Sequence, residues 1–167
     1  MKFPRVLLYA VSPLFLATAC TVESGGTVGL TEDAQGHLVA VVIMCRGYID
    51  GMTLYRDDTS NSDDSANDRG KWEHIGAIKG AGTLDLTAPG DGWTAKVPLA
   101  PLRASQEVRL YGWTRSNKWS ADGPTFHPSD LTRLDSKHIL FAPSSANESK
   151  TDHGLVPSDQ FRALACP

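Results

Sequence analysis

Apolar positions in this chain fall in short runs between turn-forming residues, and two kinds of run can be told apart. One kind alternates. Over 107–115, Val108 and Leu110 fall on one side of an extended strand and Arg109, Tyr111, Trp113 and Arg115 on the other, because successive strand side chains point to opposite faces. The other kind does not alternate: Leu38-Val39-Ala40-Val41-Val42-Ile43-Met44-Cys45 is apolar throughout, which predicts a strand covered on both faces. Strands are predicted at 27–31, 37–46, 49–56, 72–78, 82–87, 107–115 and 124–127, rich in Val, Ile, Leu and aromatic residues and bounded by Gly and Pro. With no long helical period between them, about seven short strands predict a mainly β chain, an antiparallel β-sandwich. Short helical turns are expected at Pro128-Ser129-Asp130-Leu131 and Pro157-Ser158-Asp159-Gln160-Phe161, where Ser or Asp can cap the first turn. The segment after the last strand is the candidate cover for the second face of 38–45.

The first twenty residues have a different pattern. Met1 to Arg5 is basic, Val6 to Leu16 is largely apolar, and Ala17-Thr18-Ala19-Cys20 closes the segment with small residues. This is the order of an export leader, and the run is too short to span a bilayer comfortably. Cleavage before Cys20 is expected. A cysteine directly after the cleavage site resembles the lipobox of bacterial lipoproteins, although Ala17 occupies the position where Leu is usual. Lipidation of Cys20 would anchor the chain, since two acyl chains hold a protein durably at about 0.8 kcal/mol per buried methylene. The resulting division is a signal peptide over 1–19, a lipidated N-terminus and tether over 20–26, and a single β-sandwich domain with a C-terminal covering segment over 27–167.

The chain has three cysteines, an odd number for a compartment where disulfides persist. With Cys20 committed to lipid, Cys45 and Cys166 are left to pair, which requires the tail to return across the sheet; two buried free thiols are the alternative. No C-x-x-C spacing points to zinc.

Lys2 and Arg5 lie in the leader, so 14 basic and 19 acidic side chains remain, a net charge of −5 with neutral histidine. No basic run is present, so nucleic acid is not an expected partner, and attachment to a membrane would come from the lipid rather than from charge.

Three constellations bear on chemistry. The segment 57–68 is dense in Asp, Asn, Ser and Thr oxygens, but the EF-hand order with its closing Glu is missing, and a solvated polar loop is the expectation. Five histidines, His37, His74, His127, His138 and His153, show neither H-x-x-H nor H-E-x-x-H spacing, and G-x-S-x-G and S-x-x-K are both missing. No metal ligand, cofactor site or catalytic residue is therefore predicted. The third is the stripe Arg109, Tyr111 and Trp113 together with Trp119, a candidate ligand face on which a sugar ring or a peptide could stack, helped by Trp72 or Trp93. Its structural alternative is Arg stems packed over Trp rings with the C-terminal tail above them.

Lipobox-like Cys20, Gly47-Tyr48-Ile49-Asp50-Gly51 leading into Leu54-Tyr55, Ala88-Pro89-Gly90-Asp91-Gly92-Trp93, and Leu110-Tyr111-Gly112-Trp113-Thr114 together resemble small uncharacterised secreted lipoproteins of actinomycetes. The resemblance covers most of the chain after the leader. It implies an envelope location, is compatible with an immunoglobulin-like sandwich, and carries no catalytic or binding residue to transfer. The expectation is a lipid-anchored protein on the outer face of the cytoplasmic membrane, with a binding or scaffolding role toward an envelope glycan or protein. A soluble secreted carbohydrate- or peptide-binding module is the alternative.

Overall fold

The computed structural model describes residues 22–56, 67–142 and 154–166. The leader, Cys20 and most of the acidic segment 57–68 lie outside the described residues. The elements are β1 (Glu23–Glu32), β2 (Leu38–Met44), β3 (Ile49–Arg56), β4 (Asp68–Ile78), β5 (Ala81–Asp85), β6 (Trp93–Val97), β7 (Val108–Trp113), β8 (Trp119–Asp122), β9 (Thr125–Phe126), β10 (His138–Phe141), β11 (Gly154–Pro157) and helix α1 (Ser158–Ala165). A 3-10 turn at Pro128–Arg133 joins β9 to β10.

The chain is mainly β, as its pattern predicts, and all the described strands belong to one hydrogen-bonded sheet. One wall has β2 between β1 and β5, with β10 and β11 continuing beyond part of β1. The other runs β8-β7-β3-β4-β6. The walls are joined by a parallel pairing of β1 with β8, from Glu23 opposite Trp119 to Thr27 opposite Asp122. The sheet is thus mixed and nearly closed on itself, where an all-antiparallel arrangement of about seven strands was expected. Eleven strands are described. The four not foreseen, β6, β8, β10 and β11, have only four or five residues each, too short a stretch to mark a period.

Between the walls lies the main core. Val28, Leu30, Ala40, Val42, Leu84 and Leu86 face Ile49, Met52, Leu54, Trp72, Val108, Leu110 and Phe126, all buried. Burying a side chain of this kind is worth roughly 1.5–3 kcal/mol, so the inward positions of the alternating strands fix their register.

A second apolar cluster lies outside the first wall. Ile43 and Val41, two of the residues of β2 that point away from the main core, pack with Ile139 and Phe141 of β10 and with Phe161 and Ala165 of α1. Phe141 and Phe161 meet edge to face at 5.4 Å. A Cβ at Gly29 would run into Ile139, so the glycine in β1 lets β10 approach this closely. The unbroken apolar run of β2 is therefore covered on both faces, the second by the returning tail. Cys45 and Cys166 fasten that tail through a disulfide, with Cα atoms 5.6 Å apart. Both foreseen helical turns are present, with different caps. Asp130 accepts a hydrogen bond from the His127 N–H (2.8 Å) ahead of the 3-10 turn, whereas α1 starts after Pro157 without a side-chain cap. Among the described residues no helix is long and apolar enough to cross a membrane.

Candidate ligand-binding face

The alternation of β7 holds in three dimensions: Val108 and Leu110 are buried in the core, and Arg109, Tyr111 and Trp113 lie half-buried on the opposite side. Register with β3 sets Tyr55 beside Arg109, Thr53 beside Tyr111 and Gly51 beside Trp113. Register of β3 with β4 then adds Lys71 beside Thr53 and Glu73 beside Gly51.

The outward residues contact one another in a definite way. Tyr55 and Tyr111 meet edge to face, with ring centroids 6.2 Å apart. The Trp113 indole N–H donates to Thr53 Oγ1 at 2.8 Å, and Lys71 Nζ sits 5.4 Å from the ring centroid on its face. A Cβ at Gly51 would run into the indole, so the glycine lets Trp113 lie flat on the strand. Charged groups rim the stripe. Arg109 reaches Asp122 at 3.8 Å, while Glu73 lies 3.6 Å from Lys96 and 3.9 Å from Arg115. Arg115 is further tied down, its N–H donating to Asp50 Oδ1 and its Nη2 to the His74 carbonyl. Burial, and then the neighbouring Tyr55, push the Tyr111 hydroxyl above the usual tyrosine pKa. At neutral pH Tyr111 is a neutral phenol that can both donate and accept.

Arg109, Tyr111 and Trp113 are thus together on one face. Trp119 is not with them. It has the opposite parity on β8, and its ring packs on Gly47, where a Cβ would collide with it, and beside Gly25. The left-handed backbone of Gly47 (φ 65°) makes the close approach at a turn. Trp72 and Trp93 do not help the stripe either. Trp72 is wholly in the core, and Trp93 is nearly buried with its N–H given to the Thr83 carbonyl at 3.0 Å. The structural alternative put Arg stems on the Trp rings; the cation found on Trp113 is Lys71, and among the described residues of the tail α1 packs against β10 and β11.

A second cluster was not visible in the spacing of the histidines. The hairpin between β1 and β2 and the end of β5 bring Asp33, His37 and Asp85 together, with His37 Nδ1 3.3 Å from Asp33 Oδ2 and 3.2 Å from Asp85 Oδ2. Burial alone would raise the Asp85 carboxyl, but hydrogen bonds from Ala88 and Thr87, and His37 nearby, hold it below the ordinary aspartate range.

No protein-family model, no curated protein and no solved structure matches this chain.

Proposed function

We propose that this is a binding module of the cell envelope, held at the outer face of the cytoplasmic membrane by lipid on Cys20, and that its ligand is a glycan stacked on Tyr111 and Trp113. The carrying observation is the outward side of β7 and β3: a flat indole fixed by Thr53 and Gly51, two further aromatic rings, and a rim of paired charges, with the C-terminal helix packed elsewhere. Aromatic faces beside hydroxyl and guanidinium donors suit a pyranose ring, which offers C–H to the ring and hydroxyls to the rim. The disulfide is compatible with a location outside the cytoplasm.

In this reading the strands are those of an immunoglobulin-like sandwich. Taken as A, B, C, C′, E, F and G, the strands β1, β2, β3, β4, β5, β7 and β8 pair as A-B-E and as G-F-C-C′. The bridge departs from that of antibody domains, since Cys45 pairs with the C-terminal tail rather than with strand F.

Co-sedimentation with insoluble cell-wall polysaccharide tests the ligand. The wild-type protein is expected to pellet with the polysaccharide, and Trp113→Ala to remain in the supernatant while melting as a folded domain. Equal pelleting of wild type, Trp113→Ala and Tyr111→Ala would remove the face from the account. The anchor is tested by the intact mass of protein from its native host, expected as residues 20–167 plus a diacylglyceryl group. An unmodified chain in the medium would instead make this a soluble secreted module with the same face.

A further inference from the structure

We propose that Asp33, His37 and Asp85 form a surface site for a divalent first-row transition-metal ion, with zinc as the reference ion. The three side chains come from two places, the β1–β2 hairpin and the end of β5, and are brought together by backbone pairing. Asp33 and His37 close the β1–β2 hairpin, with Asp33 N–H donating to the His37 carbonyl at 2.9 Å and Gly36 in the left-handed region (φ 84°). Asp85 stands opposite Val39, two residues past His37, and the Leu86 N–H donates to the Leu38 carbonyl at 3.0 Å.

Each carboxylate has one oxygen held and one turned inward. Asp33 Oδ1 accepts the N–H groups of Gln35 and His37, both at 2.8 Å. Asp85 Oδ1 accepts the Thr87 N–H and hydroxyl at 2.8 Å and the Ala88 N–H at 2.9 Å. One carboxylate oxygen of each Asp and a ring nitrogen of His37 all lie within 4.8 Å of one another. This is the support that orients metal ligands, in which outer hydrogen bonds fix the carboxylate and leave its second oxygen for the ion.

An ordinary ion pair accounts for only part of this geometry. His37 Nδ1 carries at most one hydrogen, so the two Oδ2 atoms have a single donor to divide between them at the point of convergence. The same molecule contains an ordinary pair for comparison: His138 Nδ1 and Asp135 Oδ1 close to 2.8 Å. At His37 both separations are longer, 3.2 and 3.3 Å. Ligands about 2.05 Å from a tetrahedral zinc ion stand about 3.3 Å apart, the edge of the tetrahedron. Two carboxylates also balance the charge of a divalent ion, and the half-exposed imidazole leaves a remaining coordination position to water. Calcium and magnesium fit poorly, since calcium takes six to eight oxygens and magnesium prefers an octahedral oxygen shell, whereas this set offers two oxygens and a nitrogen.

Isothermal titration of the untagged, disulfide-bonded protein with zinc chloride at neutral pH tests the site. One ion per chain is expected, with Asp85→Asn and His37→Gln each weakening binding at least ~10-fold, the lower end of what loss of even an outer partner costs. Thr87→Val, which touches only the held oxygen of Asp85, should weaken binding by a similar factor. It also serves as the test should either ligand variant fail to fold, and Trp113→Ala should bind zinc as the wild type does. Absence of a one-to-one site, or binding unchanged in the folded variants among Asp85→Asn, His37→Gln and Thr87→Val, would overturn the proposal and leave a surface ion pair.

Discussion

Removing the Cys45–Cys166 bridge by a Cys45→Ala/Cys166→Ala double substitution should lower stability more than any single surface change. The bridge spans 121 residues. On the chain-entropy model a closed loop of this size withdraws enough freedom from the unfolded chain to be worth about 5 kcal/mol at 25 °C. At 2–4 °C per kcal/mol, the value for domains of 150 residues and more, the melting temperature should fall by roughly 10–20 °C. Urea unfolding followed by Trp fluorescence is the assay. The midpoint should drop, and the denaturant slope should rise, because an uncrosslinked unfolded chain exposes more surface. The second cluster makes the native side testable too. Phe161 and Ala165 remain buried against Ile43, Ile139 and Phe141 only if α1 keeps its place. Amide exchange should therefore quicken first in β10, β11 and α1. A loss below ~1 kcal/mol, with α1 still protected, would refute the cross-link as the clamp on the tail and leave the aromatic packing as its main hold.

Gly51→Ala should displace the Trp113 indole from β3 at a cost of roughly 1–3 kcal/mol, the range for inserting a methyl into filled space. It should also shift Trp emission and weaken polysaccharide binding; an unchanged spectrum would show that the ring does not lie on Gly51. Tyr111 should ionise above the ordinary tyrosine pKa of 10.0. Because its folded-state pKa is raised, its contribution is fully present below pH 10 and is lost as pH rises through the folded value. Phenolate absorbance should lose a step above pH 10 in Tyr111→Phe, and the alkaline decline in stability should flatten. Asp135, held below the usual 3.8 by the Lys137 N–H and by His138, favours the fold above that value and ceases to do so as pH falls through its lowered pKa. A carboxyl NMR titration should find Asp135 below ordinary aspartates, and His138→Ala should return it toward them.

Local pattern gave much of this fold because two of its rules act residue by residue. Burial on both faces of β2 follows from the missing alternation in 38–45, and the split of β7 into Val108/Leu110 and Arg109/Tyr111/Trp113 follows from period two. The expected strand 49–56 coincides with β3. What local pattern does not encode is which strand lies beside which. The parallel join of β1 to β8, and the placing of Trp72 and Trp93 in the core and of Trp119 on Gly47, depend on pairing between distant segments. Grouping Trp119 with Trp113 failed for a physical reason. After the turn closed by Asn117 (φ 54°), the β8 register puts Ser120 opposite Trp113 and turns Trp119 to the other face. The Asp33–His37–Asp85 cluster escaped for the same cause. Asp33 and His37 are close in sequence, but the third member stands 48 positions beyond His37 and arrives only through the β2–β5 ladder.

The most direct measurement of the central claim is a Trp fluorescence titration of the wild-type protein and Trp113→Phe with soluble fragments of cell-wall glycan. Saturable quenching that vanishes in the variant, while the other three Trp residues still emit, is the predicted result. Unchanged emission of the wild type at saturating glycan, or quenching of equal depth in Trp113→Phe, would contradict a glycan site on the β7 face.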